Sequence, residues 1–122
     1  MTNAVQDVDA VEGEAVEHVA ATIRYLVRME DAKYPGTFKL AVEPEEGPFV
    51  GKVVTGLASV GDYPNCKGFR WLQAIFGTNL KLEDVSSLSL QSAKGWPIRV
   101  KIATRLKGGV AYCNIVDVLA VD

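Results

Sequence analysis

The chain has 122 residues, a formal net charge of −2, and a composition 48% hydrophobic and 23% charged. Those figures describe one globular domain large enough to fold without disulfide or metal staples, and they exclude a disordered chain. No apolar run reaches the roughly 18–20 residues of a membrane span, and the acidic start lacks the basic and apolar regions of a signal peptide.

Charge is unevenly spread. Asp7, Asp9, Glu12, Glu14 and Glu17 crowd the first 20 residues, where no Lys or Arg occurs. All 13 basic residues follow, most densely between Lys67 and Lys107. The sequence therefore reads as a flexible acidic leader over residues 1–15 and one domain over 16–122. The leader is expected either to shield a basic face or to be ordinary solvated chain.

From Glu17 to Glu30 two periods compete. Val19, Ala21, Ile23, Tyr25, Val27 and Met29 alternate with polar residues, as in a strand. Val16, Val19, Ala20, Ile23, Leu26 and Val27 also form a helical stripe. The strand is preferred because DAKYPG is a turn and TFKLAVEP then alternates as a hairpin partner, with Phe38, Leu40 and Val42 on one face. After the break EEGPF, VGKVVTGLASV reads as a third strand, in which Gly51 and Gly56 suggest a bulge or bend. Asn65 is placed to cap a short helix ending near Phe76, with Gly77 at its C′ position. Phe69, Leu72 and Phe76 share one face of this helix. Residues 78–95 read as a short helical turn or an apolar loop. Beyond Lys94, Ile98, Val100 and Ile102 alternate with Arg99, Lys101 and Ala103, and Gly108-Gly109 is a two-residue hairpin turn into VAYCNIVDVLAV. Five strands with one helix between the third and fourth is the element order of an OB-fold, a small Greek-key barrel in the mainly β class.

The closing hairpin can be put in register. A Gly108-Gly109 turn pairs Lys107 with Val110, Arg105 with Tyr112, Ala103 with Asn114 and Lys101 with Val116. One face then carries Arg99, Lys101, Arg105, Lys107, Tyr112 and Asn114. The other carries Ile98, Val100, Ile102, Cys113, Ile115 and Leu119, a core face. Cations that neutralise phosphates beside an aromatic ring that stacks on a base suit single-stranded nucleic acid; the same face also reads as a solvated outer surface. A second cluster, Arg24, Arg28, Lys33 and Tyr34, with Phe38 and Lys39, surrounds the first hairpin. Trp71 and Trp96 read as core or core-edge residues, Trp96 closing one end of the barrel.

Catalysis has little to work with. His18 is the single histidine and lies near the leader, away from any nucleophile. Cys66 and Cys113 lack metal-ligand spacing and read as small buried apolar residues. Glu43, Glu45 and Glu46 share a loop with prolines, a solvated turn rather than a metal site. No phosphate-binding glycine loop occurs. The chain is expected to be neither an enzyme nor a cofactor binder.

Three segments, TFKLAVEPEEGPFVGK (37–52), FRWLQAIFG (69–77) and GWPIRVKIATRLKGGVAYCNIVDVL (95–119), carry a resemblance. From about His18 onward the chain resembles small phage-encoded single-stranded-DNA-binding proteins of the OB-fold type. The matching features are the turn from Gly47 to Lys52 and a Tyr-x-Asn-x-Val-Asp return at Tyr112, Asn114, Val116 and Asp117. Many such proteins end in an acidic tail, whereas here the acids stand at the front. The resemblance implies a phage replication or recombination accessory acting in the host cytoplasm, with single-stranded DNA or RNA as ligand and replication proteins as further partners. An oligomer is compatible with it, and a membrane is not expected. The other reading is a small viral protein acting through protein contacts, as a virion component or an inhibitor of a host defence complex.

Overall fold

The computed structural model describes residues 14–30, 33, 36–63 and 65–120. Five strands, β1 (Glu14–Arg28), β2 (Thr37–Pro44), β3 (Val54–Ser59), β4 (Pro97–Lys107) and β5 (Val110–Leu119), close into a barrel in the order β1-β2-β3-β5-β4. A single α-helix, α1 (Lys67–Phe76), lies between β3 and β4. The architecture is the expected OB-like barrel. The ambiguous segment is strand throughout, and it includes Glu14 and Ala15, which the sequence reading gave to the leader. The rest of that leader, residues 1–13, lies outside the described residues.

β1 is long because it serves two neighbours. Its first half, Glu14–Thr22, runs antiparallel to β4, and its second half, Ala21–Arg28, runs antiparallel to β2. Turning from one sheet direction to the other is done by a bulge: Ile23 faces Val42 and Tyr25 faces Ala41, leaving Arg24 as the extra residue. One extra residue shifts the inside–outside period by one. Val19, Ala21 and Ile23 are buried as expected, but Leu26 follows them inward and Tyr25 turns out, 37% exposed. The simple alternation read from the sequence fails at this point.

A second bulge acts the same way on β5. Lys101 faces Asp117 while Ile102 faces Ile115, so Val116 is the unpaired extra residue and not the partner of Lys101. Val118 consequently enters the core, and Leu119, expected there, is only half-buried. The pairs nearer the turn stand as expected, because Gly108 and Gly109 at φ 59° and 80° form the left-handed turn that suits a two-residue hairpin.

β3 is shorter than the 50–60 stretch suggested. Gly47–Phe49 is a 3-10 turn and Gly51 has φ 89°, so extended backbone resumes only at Val54. Gly56 marks a close approach and not a bend. A Cβ there would sit 2.8 Å from the Cβ of Ile115 and 3.1 Å from the Trp71 ring. β3 and β5 meet, in parallel, at one pair, Thr55 and Asn114.

α1 plugs one end of the barrel. Phe69, Trp71 and Leu72 are buried, and the Trp71 ring meets Phe38 edge-on with centroids 6.2 Å apart. Its N-cap is Cys66, not Asn65. The Cys66 side chain turns inward, 8% exposed, and its Sγ accepts a hydrogen bond from the Gly61 N–H at 3.3 Å. Gly77 ends the helix as expected, its N–H donating to the Gln73 carbonyl. Trp96 is a core-edge residue, 38% exposed and edge-on to Phe76 at 5.3 Å. The connection to β4 contains two 3-10 turns, Leu82–Ser87 and Leu90–Ala93, which bury Val85, Leu90 and Ala93.

The helix can sit this close only because residue 68 has no side chain: a Cβ on Gly68 would lie 2.3 Å from the Ser59 carbonyl oxygen. Gly68→Ala is expected to cost about 1–3 kcal/mol in chemical denaturation. Gly61→Ala, where the nearest atom is an ordinary 3.4 Å contact with Tyr63, should stay within about 0.5 kcal/mol of the parent.

Candidate nucleic-acid interface

The two bulges decide which side chains face out, and the outward residues line up across the strands. Tyr25 lies beside Ala41, Ala41 beside Thr55, Thr55 beside Asn114, Asn114 beside Ala103, and Ala103 beside Val16. The middle of this row is made of short side chains. Ala41 and Ala103 take outward positions between core residues yet are 0% and 3% exposed, so the larger side chains around them cover them. Larger residues stand along the row: Leu57 at 53%, Val53 at 51% and Tyr112 at 53% exposure, with Lys39 and Lys101 half-buried and Arg105 exposed. The result is a shallow trough whose accessible floor is Thr55 and Asn114, with the larger side chains as its sides.

Lys101, Arg105, Tyr112 and Asn114 thus share one surface, as the hairpin register required. Tyr112 is directly opposite Arg105, and Asn114 is opposite Ala103. Lys107 pairs with Val110 at the turn, and its side chain lies outside the described atoms. Tyr34 also lies outside the described residues, while Lys33 is exposed on the β1–β2 connection.

Three of the arginines are held by other groups. Arg24 pairs with Glu43 at 2.5 Å, and Arg99 approaches Glu46 at 3.7 Å. Arg28 donates from one guanidinium nitrogen to the carbonyls of Val85 and Leu88, both at 2.8 Å, with Ser86 at 3.4 Å. Those carbonyls belong to the end of the first 3-10 turn, so Arg28 ties β1 to the β3–β4 connection. The Glu43–Glu46 loop, read as a solvated turn, is a local organiser: besides the two ion pairs, Thr22 donates to Glu45, and the Ala20 N–H donates to Glu46 at 3.0 Å.

Sequence reasoning missed Tyr25, Thr55 and Leu57, while Lys39 was named with the first-hairpin cluster. Tyr25 was hidden by the bulge, and the outward parity of Thr55 and Leu57 follows only once Gly56 is known to face Trp71. The Lys39 ammonium lies 6.0 Å from the centre of the Tyr25 ring, within cation–π range. Beside Tyr25 opens a cavity of about 430 Å³, lined by Arg24, Val27, Val53, Gln91 and Lys94. It places an aromatic edge, an amide and cations next to the trough. A second cleft, of about 480 Å³, lies between Phe38, Val60 and Val85, with Asp62 and Glu83 at its rim.

Among the described residues no group of three His, Cys, Asp or Glu is placed to hold a metal ion, and no helix is long and apolar enough to cross a membrane. Cys66 and Cys113 are free thiols, Cys66 buried and Cys113 half-buried.

Because Arg28 serves backbone carbonyls, Arg28→Met is expected to lower unfolding free energy by about 1–3 kcal/mol. Amide exchange at Val85–Leu88 should rise with it, and oligonucleotide affinity should change by less than about twofold. Compared with family models, with curated proteins and with solved structures, the chain matches none.

Proposed function

We propose that this barrel is a non-catalytic binder of single-stranded nucleic acid, DNA in preference to RNA, serving phage replication or recombination. The observation that carries the reading is the trough from Tyr25 to Asn114, with exposed aromatic rings at both ends and cations along its sides. Three strand spacings separate β1 from β5 along that row, an arc of about 14 Å around the barrel. That is room for bases to lie over Thr55 and Asn114 while Tyr25 and Tyr112 stack at either end. A floor of short side chains suits flat bases of any identity, and base–aromatic stacking is tolerant of sequence. Lys39, Lys101 and Arg105 then meet phosphates. The resemblance of the closing hairpin to phage single-strand binders points the same way.

The internal ion pairs of Arg24 and Arg99 limit how many phosphates are neutralised. Affinity is therefore expected to be moderate, with stacking supplying most of it. In fluorescence anisotropy with labelled oligo(dT), Tyr25→Ala and Tyr112→Ala should each weaken binding by roughly 5- to 100-fold, from about 1–3 kcal/mol per stacked base. The log–log salt slope should be shallow, about −2 to −3 for three or four phosphate contacts at −0.7 each. Absence of binding at low salt would overturn the reading.

The same ion pairs favour a second reading, a viral module that acts through protein contacts. Removing residues 2–13, which leaves β1 whole, separates the two. A shielding leader predicts tighter DNA binding after removal, and an effector leader predicts loss of the protein contact.

A further inference from the structure

The β4–β5 hairpin projects beyond the packed barrel. Leu106, Val110 and Tyr112 are 54%, 52% and 53% exposed, and Ala111 is exposed as well, so neither face of the hairpin is covered at its tip. The two-residue turn makes Lys107–Val110 and Arg105–Tyr112 the hydrogen-bonded pairs. The N–H and C=O of Ala111 therefore point away from β4, toward the open side of β5. β3 reaches β5 only at Asn114, and no other described backbone group bonds to Val110–Tyr112 from that side.

Several other strand edges of the described barrel are attended to. The outer side of β1 near Ala20 is held by the Glu45 N–H and the Glu46 carboxylate. Just before the bulge, Ile23 exchanges backbone hydrogen bonds with Gly95 and Trp96 at 2.8 and 2.9 Å. The end of β3 is covered by Gly68 of α1. Proteins ordinarily blunt an exposed edge with charge, proline or a bulge. Val110-Ala111-Tyr112 has none of these.

We infer that the open edge of β5 pairs with the same edge of a second copy of this chain, antiparallel about a two-fold axis at Ala111. In that register Ala111 of each copy exchanges N–H···O=C bonds with its counterpart, and Tyr112 of one copy lies against Val110 of the other. The charge pattern allows it. The pairing residues are neutral, and Arg105 and Lys107 stand one strand further back. Three strand spacings, about 14 Å, then separate the two β4 strands, beyond the Debye length of ~8 Å at physiological salt. The contact is small, so the dimer is a weak, reversible one. It is isologous, so it closes at two copies and does not propagate. Its effect is to set two troughs side by side, and it requires no nucleic acid.

Sedimentation equilibrium of the full chain without DNA, from low-micromolar to near-millimolar concentration, tests this. The weight-average mass should rise from 13.2 kDa toward twice that value. Ala111→Pro removes an N–H that the β4 ladder does not use, and Val110→Lys adds charge to the edge. Each should hold the chain at the monomer mass over the same range, with an unchanged circular dichroism spectrum. Exchange of the Ala111 amide in the parent should slow as concentration rises. A parent that stays monomeric throughout, or a dimer that survives both folded variants, would overturn the inference. Oligo(dT) binding measured on Ala111→Pro at low concentration, a substitution that adds no charge and lies on the other face of β5 from Tyr112, reports on the trough independently of the dimer.

Discussion

The structure depends on β1 having to satisfy two partners at once. A strand that pairs with β4 over one half and β2 over the other must bend, and it bends by inserting Arg24 as an unpaired residue. Closure of the barrel, burial of Leu26 and exposure of Tyr25 all follow from that single insertion. So does the way the β3–β4 connection is held. Beyond Thr22 β1 has no neighbouring strand on its outer side among the described residues, and Gly95, Trp96 and the Arg28-bound turn fill that place.

Much of this was legible in the sequence, and the losses have one cause. Element order, the Gly108-Gly109 hairpin and most of its register were readable because turn chemistry and alternation agree there. The bulges at Arg24 and Val116 carry no local signal of their own. Each makes sense only against a partner strand, Val42–Ala41 for one and Lys101–Ile102 for the other. Hence Tyr25 was assigned inward and Leu119 to the core. Asn65 has the residue type of a cap, whereas Cys66 holds the position with its side chain turned inward. For the candidate interface, Arg105, Tyr112 and Asn114 were found through the hairpin. The β1–β2–β3 portion of the trough was not, since it takes its parity from Gly56 beneath Trp71.

Counting cations along a sequence also overstates what a surface offers. By sequence Arg24, Arg28 and Arg99 look equivalent to Lys101. In the fold they are bound to Glu43, to three carbonyl groups and to Glu46. Glu43, Glu45 and Glu46 read as a solvated turn, yet Glu43 lies in β2 and the three position Thr22, Ala20 and two arginines. The chain spends part of its positive charge on its own architecture, leaving aromatic and small side chains as the more distinctive feature of the trough.

The single Thr55–Asn114 pair gives the barrel a seam unlike its other four. Where neighbouring ladders share the load among many rungs, this one concentrates it on one, with Gly56 on one side and the Val116 bulge on the other. Fluctuations that loosen the barrel will begin there, separating the β1–β2–β3 sheet from the β4–β5 arm like two halves of a hinge. The seam also crosses the trough floor. Whatever lies across that floor bridges the two halves, so occupancy of the surface and rigidity of the whole barrel become one quantity.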